Sequence, residues 1–147
     1  MNTYSIDIDA PPARVFPWIY ASERNRQWLP NLVEAEVLEA LPGETGSTFR
    51  QVYVENGRRM EMLGTVTGYE QDRYLACEIT GPFSLRVDYR LHDLGGRTRV
   101  TQNSEVVMTG FMKIIGLLLK PMMKKMAANN AANAFARLKQ LVESERS

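Results

Sequence analysis

FSLRVDYRLHDLGGRTRVTQNSEVVM, residues 83–108, holds the clearest alternation in the chain. Phe83, Leu85, Val87, Tyr89 and Leu91 fall on one side of an extended segment, and Ser84, Arg86, Asp88, Arg90 and His92 on the other. A period of two belongs to a strand with one face in the core and one in water. Gly95-Gly96 then turns the chain into a second alternating run. In it Val100, Gln102, Ser104, Val106 and Met108 oppose the more polar Arg99, Thr101, Asn103 and Glu105. A connection this short leaves no room for a parallel crossover, so the two runs pair antiparallel. Gln102 and Ser104 are thereby aimed at an apolar interior. An unpartnered buried polar group costs about 1–3 kcal/mol, so each needs a neighbour, a water or a ligand, and the two together are the best polar anchor the sequence offers.

Working backwards, the same pattern recurs. RYLACEITGP (73–82) and RRMEMLGTVTGYE (58–70) read as strands, as does GSTFRQVYVENG (46–57), whose Asn56-Gly57 is a hairpin signal. VEAEVLEAL (33–41) alternates and stops at Pro42-Gly43. Phe49 and Tyr53 share a strand face with Gln51, whose direction the pattern leaves open. Met60, Met62 and Val66 are candidates for the same wall. Leu75, Cys77 and Ile79 alternate together, which makes Cys77 a small buried residue rather than a nucleophile. At the amino terminus NTYSIDID (2–9) is a first strand with Tyr4, Ile6 and Ile8 on one face. PPARVFPWIYAS (11–22) opens on proline and reads as a short helix with Val15, Phe16 and Ile19 buried, distorted at Pro17. Ser22 is expected to cap a second short helix, SERNRQW, that ends at Trp28 before Pro30. Trp18 and Trp28 either rim an interior space or hold these two helices down.

The carboxy-terminal stretch has a different period. Met123, Ala127, Ala131, Ala134, Leu138 and Leu141 recur at helical spacing, with Asn130 on the flank of that stripe. Ahead of it, GFMKIIGLLLKPMMKKM (110–126) carries a second apolar stripe, on nearly the opposite side of a straight helix, and a proline. One straight helix cannot bury both against one sheet. The pattern therefore predicts a break near Pro121, a short helix or lid from Gly110 to Lys120, and a long helix from Met122 to Glu143. Alanines on an inward face either let a helix approach closely or leave volume. The methionines around the break suit an adaptable apolar surface and favour a cavity.

The order strand, two short helices, six strands, long helix resembles the helix-grip fold. DIDAPPARVFPWIYASERNRQWLP, with Ala10, Pro11, Val15, Phe16 and Trp28 in place, resembles the opening of the START-like SRPBCC superfamily. LPGETGSTFR, YEQDRYLACEITGP, YRLHDLGGRTRVT and ARLKQLVE resemble its polyketide cyclase/dehydrase branch. The resemblance implies an α+β fold, a seven-stranded curved antiparallel sheet wrapped around a long C-terminal helix. It implies too that an apolar ligand binds between sheet and helix. Such motifs specify a fold well and a function poorly.

Composition narrows the classes further. At 147 residues one domain, residues 1–147, is expected, and it should bury roughly 68–70% of its unfolded surface. Eighteen basic against seventeen acidic residues give a net charge of +1, which argues against a nucleic-acid binder. One cysteine excludes an internal disulfide, and with no signal sequence in view a cytoplasmic location is expected. His92, the single histidine, falls on a polar strand face and is no general base. No phosphate loop, nucleophile elbow or metal-ligand pair appears, so no catalytic residue is assigned and no metal or cofactor is expected.

The expected function is binding of a hydrophobic small molecule or lipid. The expected ligand-binding residues are Tyr53, Met62, Val87, Tyr89, Gln102, Ser104 and Met108 from the strands, with Met123, Ala127, Asn130, Ala131 and Ala134 from the helix. A polyketide cyclase/dehydratase-type enzyme working in the same cavity is the first alternative. A protein- or membrane-interaction module through residues 111–123, including a homodimer contact, is the second, because that segment sets lysines beside an apolar stripe.

Overall fold

The structure is a computed structural model and describes residues 2–55, 57–81, 84–107 and 132–145. Its elements in chain order are β1 (Asn2–Ile8), α1 (Pro12–Tyr20), α2 (Ser22–Trp28), β2 (Leu32–Glu39), β3 (Thr48–Glu55), β4 (Arg58–Glu70), β5 (Tyr74–Thr80), β6 (Ser84–Asp93) and β7 (Thr98–Val107). Residues 132–144 are helical and are called α3. The strands form one curved antiparallel sheet in the order β1-β7-β6-β5-β4-β3-β2. Each strand from β2 to β7 lies beside its chain neighbour, and β1 returns to pair with β7. This is the α+β helix-grip arrangement, with two short helices between the first two strands and a helix at the carboxy-terminal end.

The hairpin β6–β7 takes the register its alternation predicts. Tyr89 stands opposite Gln102, and Leu91 opposite Val100. Its turn needs two residues at positive φ, supplied by Gly95 (φ 88) and Gly96 (φ 89). Asp93 Oδ1 accepts from both glycine N–H groups, at 2.9 and 3.3 Å.

α1 runs through Pro17 as a nine-residue helix, and the expected distortion does not interrupt it. Ala21, extended at φ −74 and ψ 124, both ends α1 and precedes α2. Ser22 is consequently the first helical residue of α2 rather than its cap. The carbonyls at the end of α1 would be left without partners. They are satisfied from α2: Asn25 Nδ2 donates to the carbonyls of Trp18 and Ile19, each at 2.9 Å, and Trp28 Nε1 donates to that of Trp18 at 2.7 Å.

The core lies between the inner face of the sheet and the helices. Ile8, Val15, Val100, Phe135, Leu138 and Val142 are fully buried there. The Phe135 ring sits 5.3 Å from Tyr4 and 6.0 Å from Trp28, so α3 is wedged between the first strand and the second helix. Phe135 is absent from the predicted alanine stripe. The inward face of α3 is broader than that stripe, taking in Phe135 and Val142 beside Ala134 and Leu138. The end of α3 is tied down through polar contacts: Trp18 Nε1 donates to Glu145 at 2.5 Å, and the Asp9 N–H to Glu143 at 2.8 Å. The predicted break at Pro121, the lid from 110 to 120 and the start of the long helix lie outside the described residues.

β2 departs from its pattern. It is one of the two edge strands, its register shifts twice, and Val33, Val37 and Leu38 are 40%, 58% and 52% exposed. Alternation there marks pairing, with Leu32 the one buried residue of the strand. Its outward Glu34 and Glu36, with Glu61 of β4, surround Arg50 at 3.8, 3.4 and 2.9 Å. Val52, flanked across the strands by Glu34 and Glu61, is fully buried on that side.

Truncating Phe135→Ala is expected to cost about 3–5 kcal/mol in urea unfolding, as for other buried aromatics. Val33→Ser on the exposed edge should stay within about 0.5 kcal/mol. Equal effects would show that α3 is not held by the Phe135 wedge.

Candidate functional site

The core does not fill the space it encloses. A cavity of about 1030 Å³ lies between the inner face of the sheet and the helices. Successive strands contribute residues at every second position, as pleating requires. These are Phe49, Gln51 and Tyr53 from β3, Met60 and Val66 from β4, and Leu75, Cys77 and Ile79 from β5. Leu85, Val87 and Tyr89 follow from β6, and Gln102, Ser104 and Val106 from β7. α2 adds Asn25 and Trp28, and α3 adds Ala134 and Phe135. Leu85 and Val87 point inward yet stay only half-buried, because the surface they expose faces the cavity. Gly64 is part of the same construction. Phe49 pairs with it across the strands, and the phenyl ring occupies the place a Cβ would take.

Of the expected ligand-binding residues, Tyr53, Val87, Tyr89, Gln102, Ser104 and Ala134 come together on this wall. Met62 does not. It is 3% exposed and its sulfur lies against Gly81, within 2.5 Å of where a Cβ there would sit, while Met60 takes a place on the wall. Met108, Met123, Ala127, Asn130 and Ala131 lie outside the described residues, as does the segment 111–123. His92 is exposed on the other face of β6.

Besides Phe135, two buried amides on the wall were not nominated by the sequence reading. Gln51 alternates with Phe49 and Tyr53, and either aromatic would have fixed its phase once known to face inward. Asn25 precedes Trp28 by three positions on α2, the spacing of one helix face. Both are buried, at 7% and 8% exposure. Trp28 turns out to do both things considered for it, bonding α1 and lining the cavity, whereas Trp18 is a core residue off the wall.

The polar groups inside form two tyrosine–amide pairs. The Tyr53 hydroxyl donates to Gln51 Oε1 at 3.0 Å, and Gln102 Nε2 donates to the Tyr89 hydroxyl at 2.9 Å. Trp28 meets Tyr89 edge-on, with centroids 6.3 Å apart. Burial pushes the Tyr53 hydroxyl up to about 12. Burial raises Tyr89 as well, against a lowering by the Gln102 bond. The Cys77 thiol is pushed up to about 12 by burial and stays protonated at neutral pH, so it is a poor nucleophile. At the rim the Tyr20 hydroxyl donates to the Glu44 carboxylate, which closes the β2–β3 loop onto α1. Among the described residues no three His, Cys, Asp or Glu side chains gather as metal ligands. No described helix is long and apolar enough to cross a membrane. The arrangement can desolvate an apolar molecule and offer it neutral hydrogen bonds.

Residues 2–143 match the sequence profile of a family described as polyketide cyclase/dehydrase and lipid transport. No curated protein matches the chain. Several solved structures share its fold. A protein of Thermus thermophilus aligns at a TM-score of 0.79 with 21% identity, over 99% of each chain. A START superfamily protein from Mycobacterium smegmatis aligns at 0.74 with 17% identity, over 97% of this chain and 96% of that one. The Zhui aromatase/cyclase from a Streptomyces species aligns at 0.73 with 15% identity, over 96% and 92%. Identities this low speak for the fold alone.

The buried acids give a pH signature. Unfolding returns Cys77 and Tyr53 to their ordinary values of 9.0 and 10.0. The unfolded chain therefore loses these protons first as pH rises. The contribution of these two groups should be level below pH 9 and fall between about 9 and 12, by at most about 1.4 kcal/mol per pH unit for each group. Urea midpoints measured from pH 8 to pH 11 should decline, and Cys77→Ala should remove part of the decline. A level profile would mean that both groups are hydrated in the folded protein.

Proposed function

We propose that this chain, which belongs to the polyketide cyclase/dehydrase and lipid transport family, binds an apolar small molecule in the cavity between its sheet and helices. The observation that carries the reading is the cavity itself. Its volume of about 1030 Å³ is that of a binding site for a molecule of several rings or a long chain. Its wall is aliphatic and aromatic, broken by a few neutral polar groups, the composition expected where shape gives affinity and hydrogen bonds give orientation. The proposed contacts are Tyr53, Val87, Tyr89, Gln102, Ser104 and Ala134, with Gln51, Asn25 and Met60 added. A lone buried thiol suits a reducing compartment, and the reading places the protein in the cytoplasm.

A second reading, a cyclase- or dehydratase-type enzyme, draws on the two tyrosine–amide pairs. A folded reactive chain held beside the Tyr89 hydroxyl would gain from orientation alone. In that case Tyr89→Phe, which removes the group that orients the chain, would lower conversion of the bound compound far more than it weakens uptake.

Native mass spectrometry of freshly purified protein, followed by organic extraction, tests the first reading. One apolar adduct per chain is expected, or saturable uptake of added Nile red. Ala134→Phe, which fills part of the space, should weaken Nile red at least about tenfold, equivalent to 1.4 kcal/mol. A clean mass with no dye uptake by a folded protein would refute the reading.

A further inference from the structure

We propose that the cavity selects an uncharged ligand bearing a hydroxyl or carbonyl oxygen, and rejects lipids with a carboxylate or phosphate head. This rests on the ligand-binding reading above and narrows it to a chemical class.

The charges on the wall are the first ground. Its described residues include no lysine and no arginine. The acidic groups among them are Glu23 and Glu55, exposed at the rim, and Glu36, which is paired with Arg50 on the outer side. An anion entering this space would leave water, pass carboxylates and find no cation among those residues. Burying an unpaired charge is so unfavourable that the group gives up its charge instead.

The second ground is what the interior polar groups still lack. Gln51 has its Oε1 engaged by Tyr53, and no described group accepts from its Nε2. Asn25 has its orientation fixed, since two carbonyls demand the NH₂ side, and its Oδ1 receives no bond from a described group. The Tyr89 oxygen accepts from Gln102 and keeps its own proton to donate. No side-chain nitrogen or oxygen among the described residues is both sealed from solvent-sized space and unpartnered. Gln51, Asn25 and Tyr89 all line the cavity, which is where a partner for their free atoms would sit. With Gln102 Oε1 and the Ser104 hydroxyl, which no described group engages either, these atoms comprise both donors and acceptors, all neutral. A hydroxyl oxygen satisfies both kinds and a carbonyl satisfies the donors, whereas a hydrocarbon satisfies neither and leaves them to water.

Matched pairs test this without knowledge of the natural ligand: 2-naphthol against 2-naphthoic acid, and oleyl alcohol against oleic acid, each displacing Nile red. At pH 8 each alcohol should bind at least about tenfold more tightly than its acid. The acids should weaken by about tenfold per unit from pH 6 to pH 8, because each must take up a proton to enter, while the alcohols stay level. Gln51→Leu should weaken 2-naphthol several-fold and leave naphthalene unchanged. Acids that bind as tightly as alcohols, with no pH dependence, would overturn the inference and leave the ligand-binding reading standing. Nile red and all four compounds failing to bind would instead remove the ligand-binding reading on which it rests.

Discussion

The fold depends on how the inner face of a curved seven-stranded sheet is covered. A strand pleat offers apolar side chains at every second residue, and in β3 to β7 these converge on one interior. Covering them takes a helix with a large anchor, and Phe135 is that anchor, held between Tyr4 and Trp28. It closes only one end of the space. At Ala134 the helix presents only a methyl to a space whose wall includes Val87 and Tyr89. Access to solvent decides what that void means. Cavities left in a packed core cost on the order of 24 cal/mol per Å³. A space of about 1030 Å³ that opens toward solvent is of another kind, since water or a ligand can fill it. Such a volume is no packing fault. It is space the protein keeps open to water or to a ligand.

The same sheet geometry decides the electrostatics. Register places Tyr89 opposite Gln102, and pleating places Gln51 two residues from Tyr53. Both tyrosines find their partners on the wall, so neither needs a charged neighbour. The charged residues meanwhile fall on the alternate positions: Arg50, Glu61, Glu78, Arg86 and Arg99 make their ion pairs on the outer face. Alternation thus sorts charge outward and leaves neutral hydrogen-bonding groups within.

Legibility in the sequence follows the same physics. The hairpin β6–β7 was readable because both faces have strong and opposite character, and a slip of one residue would reverse every side chain. β2 shows the converse. Val33 and Leu38 stand among glutamates, yet an edge strand with two register shifts leaves them exposed, while Val37 reaches the cavity. Gln51 was left undecided because polarity gives no direction to a buried amide. Phe135 fell outside the alanine stripe because a four-four-three spacing describes a narrow line, while a helix lodged between a strand and another helix buries a wider arc. Ser22 has a good capping side chain, but the joint at Ala21 is shared by two helices and moves the cap one residue back.

Membership of a family that joins cyclases, dehydrases and lipid carriers is the natural outcome of this design. A cavity lined by neutral groups stabilises a bound molecule by desolvation and orientation, and both belong equally to carriage and to cyclisation. The difference lies in whether one proton is delivered at a developing charge, and the Tyr89 hydroxyl is the candidate here because its oxygen is already engaged by Gln102. Burial works against that use. It raises the hydroxyl's pKa, which makes tyrosine a weak acid toward a ground-state carbonyl. Only an oxyanion held beside it in the dry interior would draw on the hydrogen bond fully, since a preorganised donor is worth most where charge appears late. Catalysis would thus require a ligand that develops charge within the cavity after entering it neutral.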